Sequence, residues 1–235
     1  MRLYFFLLAF LSVLCSNVSA QTDQQTSGWL FLLNNTKISK KWGAYMDIQV
    51  RSADKYDHVR NLLFRPGITY YASDQHEITL GYLLNKTFIR LPEASDYSLN
   101  EHRIWEQYVF KHKINTISAS HRFRLEQRFI ERNNADDLFA QRFRYFFRFI
   151  LPLKKDVINF EKGLFLAIQN EIFLNIQHKD QLNGYLFDQN RAYAAAGYRF
   201  SKKLDIEAGY MNQSSKGINY NTANNIIQLA VYTKF

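Results

Sequence analysis

The chain has 235 residues, with 30 lysines and arginines against 21 aspartates and glutamates, and a formal net charge of +9. Its single cysteine excludes an internal disulfide framework, and its basic residues are spread along the chain and not clustered into the patch typical of nucleic-acid binding. Three prolines and nine glycines, with no linker-like stretch of either, predict one domain.

The N-terminus has the layout of a cleaved secretory signal peptide. Residues 1–20 read MRLYFFLLAFLSVLCSNVSA, with a positive charge at Arg2, an apolar run over residues 3–14 and small residues up to Ala20. A membrane-anchoring helix is the alternative, but the run of about 12 residues is shorter than the roughly 20 that a helical span needs. We therefore expect residues 21–235 to form the mature domain.

Export limits the partners of the mature chain. Cleavage after Ala20 removes Arg2 and Cys15, which leaves 29 basic and 21 acidic residues and a net charge of +8. A lipoprotein anchor at Cys15 is disfavoured because bulky Leu14 precedes it, where lipobox motifs carry a small residue. We expect no nucleic acid as a partner of an exported chain, and anionic lipid head groups suit its positive charge better.

The first clear strand signal is KWGAYMDIQVR at residues 41–51. One face of this segment is apolar and carries Trp42, Ala44, Met46, Ile48 and Val50. The other face is mostly polar and carries Gly43, Tyr45, Asp47, Gln49 and Arg51. Such a period of two predicts a β-strand that separates two environments.

Two arginine-rich segments follow the same pattern. In SHRFRLEQRFI, residues 120–130, the polar face carries Ser120, Arg122, Arg124, Glu126 and Arg128. In AQRFRYFFRFI, residues 140–150, the even positions include Arg142, Arg144 and Arg148, and the odd positions are mostly aromatic. A helix would separate Arg142 from the other two arginines, whereas a strand places all three on one face, so the strand is favoured. LDIEAGYMNQ, residues 204–213, alternates in the same way.

Eleven candidate strands emerge along the chain. They lie near residues 28–36, 41–51, 59–71, 76–85, 101–112, 116–130, 139–151, 163–175, 188–200, 204–213 and 224–235. Several exceed the roughly 5–6 residues of an average soluble strand and suit the roughly 9–11 that cross a bilayer. Because single-chain bacterial barrels have even strand numbers, we expect ten or twelve strands.

The connections and the absence of apolar helices favour a transmembrane barrel. Short polar connections (73–75, 112–115 and 201–203) contrast with longer ones (86–100, 131–138, 177–188 and 213–222), as in barrels with short periplasmic turns and longer extracellular loops. The mature sequence has no apolar run of about 18 residues, so helical spans are excluded. The prediction is an all-β, transmembrane, antiparallel up-and-down barrel with aromatics toward lipid. A secreted soluble barrel or sandwich with aromatics packed inward is the alternative.

Several motifs resemble those of a known family. EHRIW (101–105), HRFRLEQRFI (121–130), NEIF (170–173), DQNR (188–191) and GYMNQ (209–213) are similar, in this order, to motifs of domain of unknown function 2490. The resemblance implies an integral outer-membrane barrel without an established activity. Phe235 resembles the terminal aromatic that the outer-membrane assembly machinery recognises, although Thr233 replaces the aromatic often found two places earlier.

The inward polar face is the candidate functional surface. Its charged members are Arg103, Arg122, Arg124, Glu126, Arg128, Arg142, Arg144, Arg148, Glu171 and Arg191, with Gln107, Gln169 and Arg199 beside them. Buried charges need partners, so a salt-bridged plug is one interpretation, with Glu101 or Glu106 as further counter-charges. Since arginines outnumber carboxylates, guanidinium groups free to bind a small anion, in a site or narrow channel, are the alternative.

Catalytic and cofactor signals are weak. His121 lies near Ser118 and Ser120, but on a strand Ser120 points to the opposite face, so the pair forms no nucleophile and base. A lipid-active enzyme stays an alternative without a recognised motif. We find no metal-ligand spacing, no phosphate loop and no sign of a cofactor. The expected location is the bacterial outer membrane, with lipid and the assembly machinery as partners.

Overall fold

The computed structural model describes residues 22–91, 94–154 and 159–235. The predicted signal peptide, residues 1–20, lies outside them. The strands are β1 (Thr22–Lys37), β2 (Trp42–Ser52), β3 (Val59–Tyr71), β4 (His76–Leu91), β5 (Ala94–Ile114), β6 (Ile117–Ile130), β7 (Leu138–Pro152), β8 (Gly163–Gln177), β9 (Phe187–Ser201), β10 (Leu204–Ser215) and β11 (Asn221–Lys234). Two short 3-10 turns span Asp54–Tyr56 and Lys179–Gln181. Within the described ranges, no helix has the length and apolar character to cross a membrane.

The strands form one closed barrel. Each strand pairs antiparallel with the next, and β1 closes the ring by pairing parallel with β11, for example Leu30 with Leu229. The described chain therefore has eleven strands, and the expectation of ten or twelve is wrong although the eleven candidate segments are right. A parallel ladder also satisfies backbone N–H and C=O groups, so closure does not require an even number of strands.

The two rims differ in their connections, as predicted. The short-turn rim has connections 38–41, 72–75, 115–116 and 202–203, and the chain ends there at Phe235. The long-loop rim has connections 53–58, 131–137, 178–186 and 216–220.

Two connections depart from the prediction. The connection 153–162 is long although it lies on the short-turn rim. Residues 86–100, expected as a loop, belong largely to a β4–β5 hairpin that projects past the long-loop rim.

The two faces of the wall are those that the alternation predicts. Arg142 and Arg144 are 5% and 4% exposed inside the barrel, whereas Phe143, Tyr145 and Phe147 remain partly exposed on its outside. The outer wall carries exposed apolar side chains all around the ring, aliphatic or aromatic, among them Ile48, Ile68, Leu80, Ile104, Phe123, Leu151, Ile168, Phe200, Ile206, Ile227 and Leu229. The alternative with the aromatics of β7 packed into a core is therefore wrong.

The lumen is not wholly polar. Tyr45, Leu63, Leu83 and Trp105 form one buried cluster, and Trp29, Phe165, Ala167, Tyr193, Ala195, Met211 and Ile226 form another. Trp105 lies directly against Gly81 of β4, where an added Cβ would come within 2.2 Å of the indole ring. Glycine at position 81 thus makes room for the indole ring of Trp105 in the lumen.

Candidate functional site

The register of β6 and β7 brings the charged motifs together. Glu126 is paired with Arg142, and Arg124 with Arg144, on the inner face of neighbouring strands. Because side chains directly opposite one another in a ladder are close neighbours, this register starts a continuous buried cluster of guanidinium and carboxylate groups. We call this cluster the ion-pair network.

Glu126 is the hub of the network. Its side chain is fully buried, and it accepts hydrogen bonds from Arg142 at 2.7 Å and from Arg144 at 2.5 Å. Arg103 lies 3.6 Å and Arg124 3.9 Å from its carboxylate oxygens. A lone carboxylate at this depth would be strongly unfavourable, so the surrounding guanidinium groups keep it stable as an anion.

Two further glutamates extend the network along the barrel. Glu171 on β8 binds Arg144 and Arg122, each at 2.7 Å. Glu101 on β5 accepts two bonds of 2.7 Å from Arg103. A further bond of 2.6 Å comes to Glu101 from Arg128. Paired bonds from one guanidinium to one carboxylate are among the strongest polar contacts in proteins.

Toward the short-turn rim, a separate ion pair joins β7 and β10. Arg148 binds Glu207 at 2.5 Å and donates to Gln169 at 2.7 Å. Tyr193 and Tyr232 also donate their hydroxyl groups to Glu207. This glutamate is therefore fully satisfied by partners from three other strands.

The structure places every predicted lumen residue inside the barrel, and it adds three acidic partners that were not among the predicted site residues. Asp47 pairs with Arg65, Asp188 with Arg142 at 2.8 Å, and Asp205 with Arg199 at 2.7 Å. The polar face predicted for residues 41–51 already contained Asp47. Of the two further counter-charges considered, Glu101 is correct. Glu106 is wrong, since it is exposed on the outer wall and accepts a bond from Gln127.

Two inward arginines have no carboxylate oxygen within ion-pair distance among the described residues. Arg51 binds Gln49 and stacks on Trp29, with 3.8 Å from its guanidinium carbon to the ring centre. Arg191 approaches the same ring at 5.0 Å and the Phe173 ring at 4.6 Å. Cation–π contacts stabilise a guanidinium group without neutralising its charge.

Two neighbouring cavities in the lumen share part of their walls, since Arg51, Arg65, Arg144 and Arg191 line both. The larger, of about 270 Å³, extends toward the short-turn side and has walls of mixed charge, including Asp47, Glu77, Glu171 and Asp205. A second cavity of about 170 Å³ lies on the long-loop side, and no carboxylate lines it. We call the second one the arginine chamber. Its walls are formed by Arg51, Asn61, Leu63, Arg65, Asn85, Arg103, Arg142, Arg144, Phe173, Gln189, Arg191 and Gln213.

His121, the candidate catalytic base near Ser118 and Ser120, lies on the outer wall of the barrel. The Nε2 atom of His121 lies 3.1 Å from Nε2 of His112, and its Nδ1 lies 2.9 Å from the Tyr145 hydroxyl. Ser120 faces the lumen, so the predicted separation of Ser120 and His121 is confirmed. In the part of the chain that the structure describes, no three histidine, cysteine or acidic side chains are grouped to hold a metal ion.

The sequence motifs agree with a family assignment. A family model described as "Protein of unknown function (DUF2490)" matches residues 26–224. The chain belongs to this family. An uncharacterized protein of Methylorubrum extorquens is 24% identical over 214 residues, which make up 89% of this chain and 88% of that protein. No solved structure matches the chain. For this member of DUF2490, the barrel and the ion-pair network come from the structure, since the family description names neither.

Proposed function

We propose that this protein is an integral outer-membrane β-barrel, exported by its N-terminal signal peptide, with a lumen held closed by the ion-pair network. One observation carries the proposal. The outer wall exposes aliphatic or aromatic side chains on every strand, while most charged side chains of the same strands lie inside. A water-soluble protein of this size rarely exposes a contiguous apolar surface of more than a few hundred Å².

The backbone supports the same placement. The strands have 11 to 21 residues, enough for a tilted strand to cross the roughly 30 Å hydrocarbon layer. Since the ring is closed, its wall has no open sheet edge with unpaired N–H and C=O groups, which hydrocarbon would not tolerate.

The difference in connection length between the two rims determines the orientation that we propose. The short-turn rim faces the periplasm and the long-loop rim faces the outside, as in other outer-membrane barrels. Phe235 lies at the short-turn rim and is 61% exposed, in keeping with recognition by the assembly machinery from the periplasmic side. The network residues Arg124 and Glu126 lie between the rims at 1% and 0% exposure, which favours a closed lumen over a wide channel.

Fractionation of a Gram-negative host tests the location. We expect the full-length chain to sediment with outer-membrane vesicles and to migrate on gels as a compact form that heating converts to a slower one. A matched chain without residues 1–20 should remain in the cytoplasm. Recovery of the full-length protein in the soluble periplasmic fraction would overturn the proposal.

A further inference from the structure

The arginine chamber has an unusual charge composition. Six of its wall residues are arginines. Its other polar wall residues are amides, namely Asn61, Asn85, Gln189 and Gln213. No carboxylate among the described residues lines the chamber. Four of the six arginines bind carboxylates that lie outside the chamber wall. The remaining two, Arg51 and Arg191, have no carboxylate within ion-pair distance among the described residues.

The surrounding network does not compensate this charge. The connected group holds nine guanidinium groups: Arg51, Arg65, Arg103, Arg122, Arg124, Arg128, Arg142, Arg144 and Arg191. Its carboxylates are five: Asp47, Glu101, Glu126, Glu171 and Asp188. Nine against five leaves a surplus of four positive charges among the described side chains. Guanidinium groups keep their charge at any physiological pH, so the surplus cannot be removed by loss of protons.

Donor groups in the chamber wall also lack acceptors. The Nε atoms of Arg65 and Arg191 are buried without a hydrogen-bond partner. A buried donor without an acceptor is unfavourable, and a charged donor more so. Arg191 thus combines a charge without an ion-pair partner with an unused N–H, and Arg65, although paired with Asp47, keeps an unused Nε–H.

We propose that the arginine chamber binds a small oxyanion carrying two negative charges, such as phosphate or a short dicarboxylate. The planar fork of a guanidinium group matches the spacing of two oxygens in either ligand. A volume of about 170 Å³ holds one such anion with a few waters and excludes a nucleotide. Arg51 and Arg191 supply the charge, Arg65 supplies a free N–H, and the amides complete the hydrogen bonds.

Access to the chamber comes from the long-loop rim. Arg51 lies one residue before the end of β2, and Asn61 two residues after the start of β3, both at that rim. Gln189 and Gln213 occupy corresponding positions near the start of β9 and the end of β10. The oxyanion therefore enters on the side that carries the longer loops.

Calorimetric titration of the folded mature barrel in detergent tests the site. The probes are sodium phosphate and sodium succinate at low ionic strength, with glycerol as a neutral comparison. We expect saturable binding of one anion per barrel for at least one of the two anions and none for glycerol. The double variant Arg51→Gln, Arg191→Gln should bind at least about tenfold more weakly, since it removes the two guanidinium groups without carboxylate partners.

The matched control is Arg132→Gln, which removes one charge from the β6–β7 loop at the same rim. Among the described residues, Arg132 donates to the backbone carbonyl of Asp136 and to no carboxylate. Its binding should equal that of the unchanged barrel. Gel migration before and after heating shows that each variant is folded, and this readout does not depend on the membrane location proposed above. Absence of saturable binding for both anions, or equal binding by the double variant, would overturn the site.

Discussion

At the scale of single residues, burial of charge is the main feature of this protein. Glu126 is fully buried and lies within 4 Å of four arginines. Removing one member of such a group leaves the others with charge in a low-dielectric interior, which costs more than the lost attraction between two surface ions.

Glu126→Gln should therefore destabilise the barrel strongly. The variant keeps the shape of the side chain but leaves Arg142 and Arg144 without their shared anion, and we expect a loss of about 3–5 kcal/mol in the free energy of unfolding. Urea titration of the barrel in lipid vesicles, with tryptophan fluorescence as the signal, measures this free energy of unfolding. Asp136→Asn is the control, because Asp136 is exposed in the β6–β7 loop outside the barrel wall, and it should change stability by less than about 0.5 kcal/mol. Equal effects of the two substitutions would show that Glu126 is not a hub.

The sequence was sufficient to place these arginines on one common face, because strict alternation along β6 and β7 leaves them a single side. The long strands and the unequal connections then favoured the inner face. It was not sufficient to pair them. Arg148 binds Glu207, and Arg142 binds Asp188, across 59 and 46 residues of chain. Such contacts depend on the diameter and stagger of the closed barrel, which no local pattern encodes. Arg51 and Arg65 were missed as site residues for the same reason.

At the scale of strands, the segments were predicted well and their closure was not. Several strands are visible as clear period-two patterns, whereas residues 76–84 and 225–235 alternate less cleanly. The rule that bacterial barrels have even strand numbers led to the incorrect expectation of ten or twelve. The β4–β5 hairpin was missed beyond residue 86 because it projects past its neighbours. With no core on either side, its residues need not alternate between apolar and polar.

Cross-linking tests the parallel seam between β1 and β11. Leu30 and Leu229 are paired on the outer wall, and neighbouring strands lie about 4.8 Å apart, within the range that a disulfide spans. In a chain lacking Cys15, the pair Leu30→Cys, Leu229→Cys should form a disulfide on mild oxidation. The pair Leu30→Cys, Ile227→Cys is offset by two residues, about 8 Å, and should cross-link poorly. The reverse preference, or no cross-link in either pair, would contradict the eleven-strand closure.

At the scale of the whole molecule, the barrel inverts the usual arrangement of a soluble protein. Many of its charges are enclosed in a salt-bridged lumen, and much of its aliphatic surface faces outward. Family membership adds no activity, since the DUF2490 description states that the function is unknown. The functional proposal therefore rests on the residues of the lumen, and the proposed location rests on the apolar side chains of the outer wall.

Spin labels on the outer wall test the membrane location most directly. The single-cysteine variants Leu80→Cys, Ile168→Cys and Ile227→Cys place labels at exposed outward positions on β4, β8 and β11. In reconstituted vesicles, we expect these labels to collide readily with oxygen and poorly with a water-soluble nickel chelate. A label at Asn134 in the β6–β7 loop should show the opposite preference. If the three wall labels are as accessible to the nickel chelate as the loop label, the barrel does not lie in the bilayer.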